Sequence, residues 1–223
     1  MKNFFLFVFI GLIFVVAAML WFYKSNKPDN DHYVVINGKK LIEIDLSLKE
    51  DLPSNGGQTK FFVPVEYDPA LVSSLFEFYF RYPSQTPYPE SRKIVPQQDM
   101  VRVVVERADR KYMRSEHALD EVNSKNNFKS KPRFIERRNG MDIYQYDYGS
   151  KTSVIGTKMV YRDHAGYPVV IEDPGAWSVM YRVYRAYNDH IELDYQIHKG
   201  LGTDFKAVDQ AVLEVVKNFQ PKH

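Results

Sequence analysis

The sequence predicts an α+β protein: an N-terminal transmembrane helix, then one antiparallel-sheet-rich domain that ends in a helix. Three patterns carry that expectation. Residues 4–23 run for 20 positions without a charge. From residue 33 onward, apolar and polar residues alternate with period two, and turn pairs such as Asn-Gly and Pro-Gly punctuate the alternation. The last stretch switches to apolar residues at helical spacing.

As a helix, Phe4 to Tyr23 spans about 30 Å, the thickness of a hydrocarbon core. Trp21, Phe22 and Tyr23 stand at its end, where amphipathic rings favour the headgroup layer, and Lys24 and Lys27 come next. Met1-Lys2-Asn3 and the small residues Val16 and Ala18 also suit a cleaved secretory signal. The apolar run continues past Ala18 to Tyr23, which favours an uncleaved anchor over residues 1–24. Lys2 and the amino terminus favour a cytoplasmic start, whereas Lys24, Lys27, Lys39 and Lys40 favour the reverse. An anchor beginning four residues into the chain most often exports the domain on its C-terminal side. The expectation is therefore a single-pass inner-membrane protein with a periplasmic domain. The absence of cysteine fits that compartment.

Residues 25–32 are polar, contain Pro28 and read as a linker to a globular domain over 33–223. Tyr33 to Ile36 and Leu41 to Leu48 flank Asn37-Gly38, a hairpin signal because this pair tolerates positive φ. Pro53 to Gly57 is a loop. Phe61 to Tyr67 is a strand whose Pro64 places it at an edge. Asp68-Pro69 could open a helix, and Phe76 to Tyr82 alternates as a strand. Four prolines keep Pro83 to Gln98 irregular, and Met100 to Glu106 is a valine-rich strand. Asp109 to Val122 reads as a solvated helix with a thin apolar stripe. Phe134 to Arg137 and Met141 to Tyr148 flank a second Asn-Gly pair. Strands are expected next at Ser153 to Arg162, Val169 to Glu172, Trp177 to Tyr187 and Ile191 to His198. Asp204 or Thr203 caps the closing helix, with Phe205, Val208, Val212, Val216 and Phe219 on one face and Pro221 beyond its end.

Composition narrows the function classes. Lys plus Arg number 30 against 28 Asp plus Glu, a net charge of +2 that argues against a dedicated nucleic-acid binder. With no cysteine, thiolate metal sites and cysteine nucleophiles are excluded. Gly149-Ser150-Lys151-Thr152 lacks the upstream glycine and residue order of a phosphate loop, and neither Gly-x-Ser-x-Gly nor His-Glu-x-x-His occurs. No cofactor or metal is expected, and the domain reads as non-enzymatic. Lys129, Lys131, Arg133, Arg137 and Arg138 make a local basic patch that suits anionic lipid or simply a solvated loop.

The Trp177–His198 hairpin offers a recognition surface. A two-residue turn at Asn188-Asp189 sets Arg185 opposite Glu192, Val183 opposite Asp194, Tyr181 opposite Gln196 and Tyr187 opposite His190. His190, Glu192, Asp194, Gln196 and His198 then share one face, and Ile191, Leu193, Tyr195 and Ile197 the other. The polar ladder reads as a solvated strand face, as a metal or catalytic group around His190, Glu192, Asp194 and His198, or as a recognition surface. The solvated face is the plainest of the three; Tyr181, Arg185 and Tyr187 beside the ladder support recognition ahead of metal binding or catalysis, being residue types that dominate binding hot spots. Tyr144, Tyr146 and Tyr148 line one side of another strand; with 16 tyrosines in the chain, they suit either an interface or the rim of a core.

About a third of the chain carries a layout with relatives. It comprises the hairpin MVYRDHAGYPVVIE, the Trp-led strand WSVMYRVYR, the strand IELDYQIHK and the helix end VLEVVKNFQP. This layout resembles PsbP-like bacterial envelope domains and membrane-anchored immunity proteins that guard a bacterium against toxins delivered into its periplasm. Neither group has a fixed signature, so the resemblance assigns no site residues. It implies a protein partner, a secreted toxin neutralised by occlusion. Two other readings stand beside it: an accessory subunit of an envelope membrane complex, and a hydrolase built on the polar ladder.

Overall fold

The computed structural model describes residues 33–47, 59–72, 74–88, 97–123, 132–147, 155–202 and 204–221. The apolar run 4–23, the linker 25–32, the Pro53 to Gly57 loop, Tyr148 and the Gly149 to Thr152 run lie outside them. Among the described residues no helix is long and apolar enough to cross a membrane.

Among the described residues thirteen strands form two sheets, all pairs antiparallel. The small sheet has the order β1-β2-β3, from Val34–Ile36, Lys39–Asp45 and Lys60–Pro64. Asn37 (φ 52°) and Gly38 (φ 77°) make the tight turn between β1 and β2, and Val34 pairs with Leu41. Pro64 closes β3, which stands at the sheet's edge because its prolyl nitrogen cannot donate to a ladder.

The large sheet contains β4 (Ala70–Val72), β5 (Leu75–Arg81), β6 (Thr86–Pro87), β7 (Met100–Arg107), β8 (Arg133–Arg138), β9 (Met141–Asp147), β10 (Ile155–Arg162), β11 (Pro168–Asp173), β12 (Met180–Ala186) and β13 (Ile191–His198). Its order is β4-β5-β7-β13-β12-β11-β10-β9-β8, with β6 beside β5. The last six strands are a meander whose final member inserts beside β7, so β13 is central. The link from β7 to β8 must therefore travel from mid-sheet to the far edge. Helix α1 (Arg114–Asn123) lies on that route, over β11 and β12. Its Ala118 packs on Val160 and Val170.

The opposite, inner face carries the main core. Phe76, Phe78 and Phe80, Val101, Val103 and Val105, and Ile191, Leu193, Tyr195 and Ile197 lie under helix α2 (Phe205–Asn218). That helix buries Phe205, Val208, Val212 and Val216, with Phe219 just past its end, and the Asp204 carboxylate accepts from the Ala207 N–H. The small sheet adds Ile44, Leu46, Phe61 and Val63 to the same core, and the Phe62 N–H donates to the Phe219 carbonyl at 2.6 Å. The antiparallel α+β expectation and the closing helix are thus borne out.

Three local expectations are corrected. No helix starts at Asp68: that residue is left-handed (φ 43°), and Ala70–Val72 turns back to pair with β5. The Trp-led strand begins only at Met180, because Gly175–Trp177 forms a short 3-10 turn. The β12–β13 connection is a three-residue loop, Asn188-Asp189-His190. The Asn188 side chain accepts from the His190 N–H at 2.8 Å, and the Tyr187 N–H donates to the Ile191 carbonyl at 2.8 Å. This side-chain turn consumes one more residue than a tight pair does.

Candidate functional site

That extra residue slips the hairpin register by one and exchanges the faces of β12 relative to β13. Arg185 pairs with Leu193 rather than Glu192, Tyr184 with Asp194, and Tyr181 with Ile197. Tyr181, Arg185 and Tyr187 consequently face α2, on the opposite side of the sheet from Glu192, Asp194 and His198. Tyr181 meets the Phe205 ring edge-on at 4.9 Å, and the Tyr187 hydroxyl donates to Gln220 Oε1 at 3.0 Å. Arg185 is 2% exposed. Its guanidinium donates to Asp209 Oδ2 at 2.6 Å and to Asp163. The other Asp209 contacts come from the Tyr161 hydroxyl (2.9 Å) and the Tyr195 hydroxyl (2.7 Å). This is an internal knot that ties helix to sheet. Burial, with the Asp209 charge beside them, pushes both the Tyr161 and Tyr195 hydroxyls well above the ordinary tyrosine range.

The polar ladder is not a solvated strand face. Glu192 is 2% exposed and Asp194 6%. The Glu192 carboxylate accepts from the Arg114 N–H (2.9 Å), the Ser115 N–H (2.8 Å) and the Ser115 hydroxyl (3.0 Å), so a strand residue 77 positions away from Ser115 caps helix α1. Burial nevertheless raises its pKa, with those bonds opposing. Asp194 accepts from Arg182 and Arg114, each at 2.6 Å, and Arg114 also binds Glu106. His198 Nδ1 accepts from the Gly200 N–H at 2.9 Å, and His190 belongs to the loop, where its carbonyl accepts from the Ala108 N–H. Among the described residues no group of three or more metal-ligating side chains comes together.

What the outer face does assemble is a continuous cross-strand row. Tyr79 pairs with Arg102, Arg102 with Gln196, Gln196 with Arg182, Arg182 with Glu172, Glu172 with Lys158, Lys158 with Tyr144, and Tyr144 with Phe134. Eight strands at their usual spacing make this row about 34 Å long. Helix α1 roofs the rows beside it. Arginine stands outermost in the row's acid pairs: by side chain alone, Arg182 is 45% exposed over an Asp194 at 8%, and Arg102 36% over a Glu77 at 19%. Among the described residues the buried Arg102 Nε–H finds no acceptor. Tyr79 donates to Glu77, and burial together with that bond pushes its hydroxyl up to about 12. Tyr184 lies between Arg182 and Arg114, their guanidinium carbons 5.0 and 5.6 Å from its ring centre. Phe134, 53% exposed, meets Tyr144 edge-on at 5.6 Å. Tyr146 is laid over Gly156, where an added Cβ would come within 2.7 Å of the ring.

Arginines and tyrosines, the residue types of this face, are those that dominate binding hot spots. Of the nine residues singled out from sequence, Tyr144, Tyr146, Glu192, Asp194 and His198 lie on this face. Tyr181, Arg185 and Tyr187 lie on the other, and His190 in the loop. Arg102, Arg182, Glu172, Lys158 and Tyr79 were missed. Their signal was a charged or aromatic residue recurring on the outer side of five separate strands. Asp209 also left a trace, as the one carboxylate on the apolar stripe of the closing helix.

No known protein family and no curated protein matches the sequence. Among solved structures, the chain is similar to Smlt3025, an immunity protein of the Stenotrophomonas maltophilia type IV secretion system. The two share 14% identity at a TM-score of 0.49, over 85% of this chain and 98% of that one. It is also similar to the Neisseria meningitidis iron-regulated outer membrane lipoprotein FrpD, with 12% identity, a TM-score of 0.40, and 85% and 92% of the two chains covered.

Proposed function

We propose that this chain is a non-enzymatic binding protein that neutralises a secreted toxin. Its domain would be held in the periplasm by an inner-membrane anchor at residues 4–23. The observation that carries the binding role is the outer row from Tyr79 to Phe134, where Arg182 stands on the buried Asp194 against the Tyr184 ring and Arg102 on the half-buried Glu77 beside Tyr79. Such arginines are held in place before a partner arrives, so little side-chain entropy is lost on docking. The partner class rests on the resemblance of residues 159–221 to periplasmic immunity proteins. Neutralisation is then occlusion: the row covers the toxin's working cleft, aromatic rings fill it, and the guanidiniums set the orientation.

The test has two stages. The full chain, solubilised from native membranes, is used to capture partners, and each captured secreted protein is exported in a sensitive host with or without this chain. The proposal expects growth arrest that the chain relieves, and no relief by the double variant Arg102→Glu/Arg182→Glu at equal abundance. A captured protein that is not toxic, or equal protection by the double variant, overturns it. Exchanging residues 1–24 for an unrelated anchor separates this reading from an accessory subunit of a membrane complex, since protection should survive the exchange.

A further inference from the structure

The hairpin of β1 and β2 carries a surface that neither the core nor the outer row uses. All eight residues from Tyr33 to Lys40 are exposed. Four consecutive apolar side chains stand in water: Tyr33 (41%), Val34 (37%), Val35 (62%) and Ile36 (42%). A run of this kind on a soluble face is unfavourable unless something covers it. The exposed end of the hairpin, Tyr33 to Lys40, carries Lys39 and Lys40 and no acidic residue; Glu43, paired with Lys60, and Asp45 lie further along β2, and the Lys40 ammonium is 4.6 Å from the centre of the Tyr33 ring. Apolar residues beside lysines and a tyrosine are the composition of a bilayer interface, where rings and aliphatic groups enter the headgroup layer and ammonium groups meet lipid phosphates.

The position of the hairpin selects that occupant over a protein. Nine residues separate Tyr23, the end of the apolar run, from Tyr33. Fully extended, that connection reaches at most about 36 Å, so a chain anchored through 4–23 keeps the hairpin close to the lipid surface. Proximity raises the effective concentration of the membrane for this patch, which allows a small apolar contact to be occupied without strong intrinsic affinity.

We infer that Tyr33, Val34, Val35 and Ile36, with Lys39 and Lys40, form a second membrane contact that lays the β1–β2 hairpin onto an anionic bilayer surface. This rests on the anchor reading above. Its consequence is orientation: the domain is docked by one end rather than swinging on its linker.

The chain has no cysteine, so one introduced thiol reports one position. Full-length protein bearing Val35→Cys is labelled with an environment-sensitive fluorophore and reconstituted into vesicles of phosphatidylcholine and phosphatidylglycerol in equal parts, with or without brominated acyl chains. Tyr112→Cys, at a residue 65% exposed, serves as the comparison. Docking predicts quenching at residue 35 at least about twofold above that at 112, weakened by Lys39→Glu/Lys40→Glu and in pure phosphatidylcholine. Equal quenching at the two positions in protein that still floats with the vesicles overturns the docking and leaves the anchor standing. Failure to float overturns both. Quenching at 35 indifferent to lipid charge and to the lysine variants overturns the role of Lys39 and Lys40. A label that stays wet on vesicles and becomes shielded only when a protein fraction is added assigns the patch to a protein and overturns the inference.

Discussion

Arg182 and Arg185 lie three residues apart on β12 and face opposite sides of one sheet. Each binds a carboxylate at 2.6 Å, yet the side chain of Arg185 is 2% exposed and that of Arg182 45%. The inner pair, Arg185 with Asp209, is shut between sheet and helix and surrounded by tyrosine hydroxyls that complete its hydrogen bonds. The outer pair, Arg182 with Asp194, has its acid in the floor and its base at the rim. The same interaction therefore does different work. Inside, it ties β12 to α2, together with the Tyr161 and Tyr195 hydroxyls that also donate to Asp209. Outside, it holds a guanidinium ready for a partner.

The largest expected effect breaks the inner pair. Arg185→Met leaves Asp209 buried without its cation, and denaturant unfolding should show a loss of about 3–5 kcal/mol. Arg185→Met together with Asp209→Leu should recover part of that loss, since an apolar pair has no charge to desolvate but the Tyr161 and Tyr195 hydroxyls lose their acceptor. A double variant no more stable than the single one would mean that the knot contributes more than compensation of charge.

Glu192→Ala comes next, because it strips the tertiary cap from α1 and leaves the Arg114 and Ser115 N–H groups without their acceptor. About 2–3 kcal/mol should be lost, with hydrogen exchange accelerating first in Arg114–Asn123. Glu192→Gln should cost less. The raised Glu192 pKa also sets a sign: the native state holds this proton more tightly than the unfolded chain. Its contribution to stability is present below the ordinary carboxylate value and fades as pH rises through the native value. Glu192→Gln should flatten that slope.

The tyrosines of both faces sharpen the comparison at alkaline pH. Tyr79, Tyr161 and Tyr195 have native pKa values above the ordinary 10.0. They stabilise the fold below that value, and stability falls as pH rises beyond it, by about 1.4 kcal/mol per unit for each group still holding its proton. Phenolate absorbance should show Tyr79 titrating near 12 in the folded protein, and Tyr161 and Tyr195 only on unfolding. Tyr161→Phe should reduce the alkaline slope. The smallest effect on stability belongs to Arg182→Ala, about 1 kcal/mol or less because Arg114 still binds Asp194. Its effect on partner affinity should be roughly tenfold or more, measured by titration calorimetry. If Arg182→Ala unfolds the protein while Arg185→Met does not, the division between the two faces is wrong.

Much of the fold was legible in the chain because its signals are local. Period-two alternation marked β5 and β13 and valine content β7, the Asn37-Gly38 and Asn139-Gly140 pairs marked two hairpins through their tolerance of positive φ, and the spacing of Phe205, Val208, Val212 and Val216 marked α2 and its buried face. Alternation along β13 also separated Ile191, Leu193, Tyr195 and Ile197 from Glu192 and Asp194. It did not say what covers each face. Only the tertiary structure placed α1 over the outer one, turning Glu192 into a helix cap, and only the three-residue loop decided that Arg185 would face Asp209. Periodicity assigns residues to two sides of a strand, whereas loop length sets which sides of two strands coincide, and one residue reverses the answer. The row from Tyr79 to Phe134 lies beyond any local signal, because its members come from eight strands and meet only through the register of seven ladders.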